Sequence, residues 1–125
     1  MTTTHELQDM FYLGRLIDHN AHEIERIEWQ KTRCKKYPER VKAYDELLGI
    51  MKEVHTRDIA RYEETKEFIN SIPDEEIKQA ITLLYARGLT WFKVERKFYY
   101  AEGTLRKNVQ RYMKKVNGGS DEDEE

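Results

Sequence analysis

Basic and amide side chains recur along the last third of the chain at helical spacing. The residues with suitable chemistry for a nucleic acid are Thr104, Arg106, Lys107, Gln110, Arg111, Lys93, Lys97 and Lys114. Arg and Lys pair with guanine or phosphate, Gln pairs with adenine, and Thr contacts phosphate or the thymine methyl group. From residue 88 to 116 there are eight Lys/Arg and two acids, a local charge of +6, whereas the whole chain carries -2. This concentration of charge predicts a polyanionic partner.

Three short helices are predicted over residues 73–116 to position these side chains. The first has Pro73 at its first helical position and ends at Arg87-Gly88, a basic last turn before a C-cap glycine. Thr90 is predicted to cap the second helix. Its inward residues are predicted to be Trp91, Val94 and Phe98. The third is predicted to begin at Ala101 and to turn inward Leu105, Val109, Tyr112 and Val116. The last two of these helices are in the order of a helix-turn-helix motif, and the last helix, which would contact DNA, is strongly basic.

Residues 1–72 are predicted to form two long helices joined near Tyr37-Pro38. The first helix has a seam with a three- and four-residue alternation typical of paired helices. This seam consists of Met10, Leu13, Ile17, Asn20, Ile24, Ile27, Lys31 and Cys34. The second seam consists of Val41, Tyr44, Leu48, Met51, His55, Tyr62, Ile69 and Ile72, widened by Leu47, Val54, Ile59 and Phe68. The pattern predicts an antiparallel hairpin with coiled-coil character, and the long helices are a candidate homodimer surface.

The predicted fold class is all-α: the hairpin at 1–72, the helix-turn-helix domain at 73–116, and an acidic tail at 117–125. The tail is expected to be disordered because it is polar, rich in glycine and ends in five acids. The single Cys34 excludes an intrachain disulfide and a multi-cysteine metal site. No apolar run reaches the length of a membrane span. We therefore expect a cytoplasmic protein.

No catalytic motif is evident. His19 and His22 share a helical face at a spacing that can hold a metal, and Glu23 lies beside them, but no third and fourth ligand is apparent. The chain has no glycine-rich phosphate loop. We predict no enzymatic activity, no metal and no cofactor. Trp29 and Trp91 are expected to be packing residues. A second basic cluster at the end of the hairpin is expected to be surface charge, with contact to phosphate as the alternative; it consists of Lys31, Arg33, Lys35, Lys36 and Arg40.

The C-terminal part resembles a known family. Ile72-Pro73-Asp74, Leu83-Leu84-Tyr85, Gly88-Leu89-Thr90-Trp91, Val94 and Tyr100 are similar to the C-terminal region of small phage regulators related to region 4 of sigma factors, of the ArpU and RinA types. The long helical N-terminal half is similar to these proteins in layout alone. The resemblance implies a transcription regulator that binds double-stranded DNA near promoters, with RNA polymerase as a protein partner.

Three positions depart from the pattern of that family. Glu95 stands where the family has a small residue between the two helices. Tyr99 stands where the turn has glycine, and a left-handed backbone at a bulky residue costs about 1–2 kcal/mol. Ala101 replaces a capping serine, whose loss typically costs about 1 kcal/mol. Gly103 is predicted to weaken the last helix further.

Two hypotheses about function follow. The first is a phage-type transcription regulator that binds duplex DNA through its last helix. The second is a protein-binding inhibitor of a host or defence protein, similar in kind to anti-CRISPR proteins, that uses the hairpin and the acidic surfaces. The charge of the C-terminal segment favours the first hypothesis, whereas Glu95 and Tyr99 favour the second.

Overall fold

The computed structural model describes residues 4–99 and 103–117, and all regular elements in these ranges are helical. The helices are α1 (Thr4–Arg33), α2 (Pro38–Asn70), α3 (Glu75–Ile81), α4 (Trp91–Lys97) and α5 (Thr104–Val116), and a π-helical segment (Thr82–Ala86) directly follows α3. The all-α prediction is therefore confirmed. Within the described residues, no helix combines the length and the apolar character that a membrane span needs. The predicted tail, apart from Asn117, lies outside the described residues.

The chain forms two compact units, and each long helix contributes to both of them. Residues 12–63 form one unit, which we call the hairpin unit. Residues 4–11, 64–99 and 103–117 belong to the other, which we call the C-terminal unit. The sequence-based boundary at residue 72 lies inside this second unit, because the first turns of α1 and the last turns of α2 are grouped with the short helices.

In the hairpin unit, α1 and α2 run antiparallel. Near one end of the unit, Gly14 of α1 lies close to the Tyr62 ring of α2: a Cβ atom at Gly14 would be 3.2 Å from that ring. Further along, Lys52 Nζ lies 3.3 Å from Glu28 Oε2, and Lys31 pairs with Asp45. The core of the pair consists of Ile24, Ile27 and Leu48, with Tyr44 and Met51 packed against it. Pro38 begins α2, as predicted, where its missing N–H costs nothing.

The seam of α2 contains two polar residues that the apolar pattern omits. Asp58 is 7% exposed and Thr65 is 3% exposed. Both continue the three- and four-residue alternation of the apolar seam. By contrast, Leu47, Val54 and Ile59 are more than a third exposed. The apolar face of α2 is therefore narrower than the sequence suggests and is interrupted by polar groups.

The C-terminal unit has an apolar core drawn from all its helices. The buried side chains are Leu7, Met10, Ile69, Ile72, Ala80, Ile81, Leu84, Val94, Leu105, Val109 and Met113. Phe11 packs beside Gly88, whose φ of 71° and close approach to that ring disfavour any side chain at this position. This confirms the predicted left-handed glycine after the third helical segment. The core fixes α4 and α5 against each other.

The beginning of α3 differs from the prediction. Asp74, not Pro73, is the boundary residue, and Asp74 Oδ1 accepts hydrogen bonds from the N–H groups of Glu76 and Ile77 at 3.0 and 3.1 Å. Pro73 lies before the helix. The reason is that an Asp side chain satisfies two of the otherwise unpaired amides of the first turn, which a proline at the first helical position does not do.

Candidate nucleic-acid interface

Helix α5 has one strongly buried side. Leu105 and Val109 are each 1% exposed, and Met113 is 3% exposed. Tyr112 and Val116, which are also predicted to face inward, are only partly buried. Leu105, Val109 and Met113 lie four residues apart along one ridge of the helix, and this ridge packs into the core. The opposite side of α5 is consequently left for polar residues.

That opposite side carries a continuous polar row. Thr104, Lys107, Arg111 and Lys114 follow at three- and four-residue spacing, which places them along one face of the helix. We call these four residues the outer row. The first three are exposed, and Lys114 is half-buried where it borders a groove lined also by Tyr85. Lys107 and Lys114 form no ion pair with any described residue. Among the described residues, no acid therefore compensates the charge of these two lysines.

Arg106 and Gln110 lie on one flank of the outer row. Both are exposed. Arg106 Cζ lies 5.8 Å from the centroid of the Trp91 ring of α4, within the range of a cation–π contact. This contact holds the guanidinium close to the surface of the domain. Gln110, one turn later, adds an amide with donor and acceptor groups to the same flank.

Helix α4 contributes two further cations. Lys93 and Lys97 are exposed and one turn apart. Thr90 Oγ1 accepts a hydrogen bond from Lys93 N–H at 3.3 Å, so the predicted cap at Thr90 is confirmed. Val94 is fully buried, whereas Trp91 and Phe98 are partly buried. All eight residues predicted from the sequence thus lie on α4 or α5 with at least part of their surface accessible.

Glu95 occupies the junction between α4 and α5. It is 4% exposed. Its Oε1 accepts a hydrogen bond from Gly103 N–H at 3.0 Å, and its Oε2 accepts one from Arg106 N–H at 3.2 Å. Gly103 is the N-cap of α5 and has no side chain to offer. Glu95 therefore caps α5 from the preceding helix, which replaces the local side-chain cap that most helices have.

The electrostatics of Glu95 follow from this contact. The hydrogen bond from Gly103 N–H is the main cause that lowers the pKa of Glu95 below its ordinary value of 4.5. Burial acts in the opposite direction, and the Arg106 N–H and guanidinium reinforce the lowering. The carboxylate is thus ionised at neutral pH and lies at the positive end of the α5 dipole.

The start of α5 differs from the prediction in two respects. The helix begins at Thr104, after an N-cap at Gly103 with φ of 84°. Gly103 is thus not a weak point within the helix, because its left-handed backbone belongs to the turn. Tyr99 does have a left-handed backbone, with φ of 60°, and is 95% exposed. Ala101, predicted as the first helical residue, lies outside the described residues, as does Tyr100.

No metal site is predicted from the sequence, and the candidate ligands there are His19, His22 and Glu23. Within the described residues, no three His, Cys, Asp or Glu side chains approach each other closely enough to hold a metal. His22 lies 4.0 Å from Glu25, and Glu23 is bound to Arg26. The contact between Glu23 and Arg26 is an ordinary ion pair on the surface of a helix.

The chain was compared with known proteins. No protein-family model matches it, no curated protein is significantly similar in sequence, and no solved structure is significantly similar in fold. The resemblance to the phage regulators consequently depends only on the motif residues quoted above.

Proposed function

We propose that the protein binds double-stranded DNA through α5 and acts as a transcription regulator. One observation carries this proposal: the outer row of α5 presents Lys107 and Lys114, which lack acidic partners among the described residues, on the side opposite the buried ridge. Uncompensated cations along one face of a helix fit the regular phosphates of a duplex.

The dimensions of α4 and α5 suit a major groove. α5 has 13 residues and is therefore about 20 Å long. The major groove of B-form DNA is about 12 Å wide, so a helix of this length can lie in it with several turns in contact. α4 has seven residues and packs against α5, as the supporting helix of a helix-turn-helix does.

In this proposal the lysines contact phosphate, whereas Arg106 and Gln110 contact bases. Lys107, Lys114 and the α4 lysines contact phosphate, which fixes the orientation of the protein on the duplex. Arg106 contacts guanine, and Gln110 contacts adenine, because their donors and acceptors match those base edges. The Trp91 ring limits the freedom of Arg106, which reduces the entropy lost on binding.

Glu95 decides how the phosphates are bound. The amides of Gly103 and Arg106 already donate to its carboxylate. A helix N-terminus often binds phosphate through such amides. In this protein the amides are occupied, so phosphate is bound by side chains, namely the lysines of the outer row and of α4. The resemblance to phage regulators further suggests action near promoters, together with RNA polymerase.

Titration of the protein into a labelled duplex from the DNA that flanks its own gene tests this proposal. Fluorescence anisotropy should show binding that weakens as salt increases, and Arg106→Ala with Lys107→Ala should reduce the affinity by tenfold or more, on the order of one lost base contact and one lost phosphate contact. Arg57→Ala with Lys66→Ala removes two exposed cations from α2 and is the control matched in charge. Equal losses in both double variants would show that α5 has no special role.

The exposed side of α2 favours a second function, binding to a protein. Leu47, Ile50 and Val54 are 42%, 64% and 37% exposed and follow each other at three- and four-residue spacing. Such a row is typical of a helix that pairs with another helix. It suits a homodimer or the inhibitor hypothesis. Sedimentation at two concentrations tests self-association, which Ile50→Glu should abolish.

A further inference from the structure

The closed end of the hairpin unit exposes two aromatic side chains. We call residues 29–42 the hairpin tip. Trp29 is 59% exposed and Tyr37 is 55% exposed. The sequence-based expectation that Trp29 is a packing residue is therefore wrong. Large aromatic rings left in water are costly to keep solvated, and amphipathic rings of this kind are enriched where proteins contact a partner.

An arginine guanidinium lies over each of the two rings. Arg33 Cζ lies 4.8 Å from the centroid of the Trp29 ring, and Arg40 Cζ lies 4.9 Å from the centroid of the Tyr37 ring. A guanidinium covers one face of a ring at most, and both rings remain more than half exposed with the arginine in place. The arrangement holds two cations in defined positions beside two accessible aromatic surfaces.

The charge of the tip is strongly positive. Residues 29–42 contain six Lys/Arg and one Glu, a net charge of +5. Lys31 is paired with Asp45. Five cations remain without an ion pair among the described residues, namely Arg33, Lys35, Lys36, Arg40 and Lys42. Such a surface repels other cations and attracts a polyanion.

We propose that the hairpin tip binds single-stranded nucleic acid, with bases stacked on Trp29 and Tyr37 and phosphates bound by Arg33, Lys36 and Arg40. Aromatic rings interleaved with cations are the combination that single-strand binding uses, because every base has a face that can stack. A duplex hides these faces inside its base stack, so exposed rings favour an unpaired strand.

The type of exposed apolar residue distinguishes this partner from a protein. Within residues 28–46, all of which the structure describes, the only exposed large hydrophobic side chains are Trp29 and Tyr37, and neither is aliphatic. An apolar groove on a protein would be matched by aliphatic side chains as well, and interface cores are depleted in lysine. The tip instead combines aromatic rings with lysine and arginine.

The test uses the full chain and a labelled oligothymidylate of about 15 nucleotides, in the range of known single-strand site sizes. A second probe of the same length has abasic sites in place of all bases, so it keeps the phosphates and loses the stacking. We expect the oligothymidylate to bind about tenfold or more tightly than the abasic probe. Equal affinity for both probes would overturn the proposal, because no base would then be stacked.

Variants locate the site. Trp29→Ala with Tyr37→Ala should lower the affinity for oligothymidylate about tenfold or more, whereas Trp29→Phe with Tyr37→Phe should retain most of it, since the rings are preserved. Tyr12→Ala, which removes a 73% exposed ring from the same unit, is the control and should change little. Thermal melting by circular dichroism shows whether each variant is folded. An equal loss in the control would overturn the assignment.

The same titrations separate this inference from the duplex-binding proposal. Arg106→Ala with Lys107→Ala should leave oligothymidylate binding in place, and the aromatic double-alanine variant should retain affinity for the duplex. Loss of oligothymidylate binding only in the α5 variant would assign the strand to α5 and overturn the inference. Failure of both the oligothymidylate and the abasic probe to bind at low salt would also overturn the inference, and would leave the tip as a surface for an acidic protein.

Discussion

Glu95 of α4 caps α5 through Gly103, with 3.0 Å between its Oε1 and the Gly103 amide nitrogen. Its other oxygen reaches the Arg106 amide, so one carboxylate satisfies two amides at the start of the helix. This links the supporting helix to the proposed DNA-binding helix by a charged contact. The small residue found here in the resembling family could pack between the helices but could not make these bonds.

Removal of the Glu95 carboxylate should destabilise the protein. Glu95→Ala leaves the Gly103 and Arg106 amides without their acceptor, and we expect a loss of about 2–3 kcal/mol in the free energy of unfolding. Glu95→Gln keeps one acceptor and should cost about 1 kcal/mol. Urea denaturation measures both values. Glu67→Ala, which removes an exposed acid from α2, is the control and should stay within about 0.5 kcal/mol of the original protein.

The Glu95 variants also test DNA binding, because an increase and a decrease in duplex affinity have different meanings. Removal of a negative charge near DNA should by itself tighten binding. If Glu95 instead positions α5, Glu95→Ala should weaken duplex binding, because the first turn that carries Thr104, Arg106 and Lys107 loses its cap. Tighter binding by Glu95→Ala would contradict the positioning role.

The lowered pKa of Glu95 predicts a loss of stability in acid. Because its pKa is lower in the folded state than its ordinary value of 4.5, the unfolded chain binds the proton first. The contribution of Glu95 is therefore complete above that ordinary value and decreases as the pH falls through the folded-state pKa. Urea midpoints measured across this acidic range should decline less steeply in Glu95→Gln. Parallel declines in the two proteins would show that Glu95 is not responsible.

Tyr99 should tolerate glycine with a gain in stability. Its φ of 60° strains a bulky residue, while its 95% exposure means that little packing is lost on substitution. Relief of strain, partly offset by the greater freedom of glycine in the unfolded chain, should stabilise Tyr99→Gly by roughly 0.5–1 kcal/mol. Thermal unfolding measures this change. A destabilised variant would indicate that the Tyr99 ring has a stabilising contact.

Two glycines should respond oppositely to alanine. At Gly88, with φ of 71°, a Cβ would lie 3.0 Å from the Phe11 ring, so Gly88→Ala should destabilise the protein by about 1–3 kcal/mol. Gly49 lies inside α2, and apart from its chain neighbours and the backbone of its own helix no atom lies within 4 Å of the place that an alanine methyl group would take. Gly49→Ala should therefore stabilise the protein by about 0.5–1 kcal/mol. Denaturant midpoints compare the two. The same sign at both positions would contradict these roles of the two glycines.

Features fixed by neighbouring residues were predictable from the sequence. Thr90 caps α4 and Gly88 is left-handed, because threonine before a helix and glycine after one carry strong local preferences. The helical class and the beginning of α2 at Pro38 follow in the same way. The six candidate DNA-binding residues of α5 are accessible because their spacing relative to Leu105 and Val109 determines which side of the helix they occupy.

Features fixed by contacts between distant residues were not predictable. Glu95 caps α5 through amides that lie 8 and 11 residues further along the chain. From the sequence alone, an acidic residue at this position suggested only a departure from the family pattern. Asp58 and Thr65 occupy seam positions by their spacing, but their polar side chains gave no reason to expect burial. The exposure of Trp29 depends on where α1 and α2 cease to cover each other, and the one available signal was the cluster of basic residues around it.

The salt dependence of duplex binding tests the central claim most directly. The affinity of the full chain for a short duplex is measured by anisotropy at a series of salt concentrations, and the logarithm of the affinity is plotted against that of the salt concentration. Each neutralised phosphate contributes about −0.9 to the slope. We predict that Lys107→Ala with Lys114→Ala makes the slope shallower by about 2, whereas Arg57→Ala with Lys66→Ala changes it by much less. An unchanged slope and affinity in the α5 variant would contradict the claim that the outer row binds DNA.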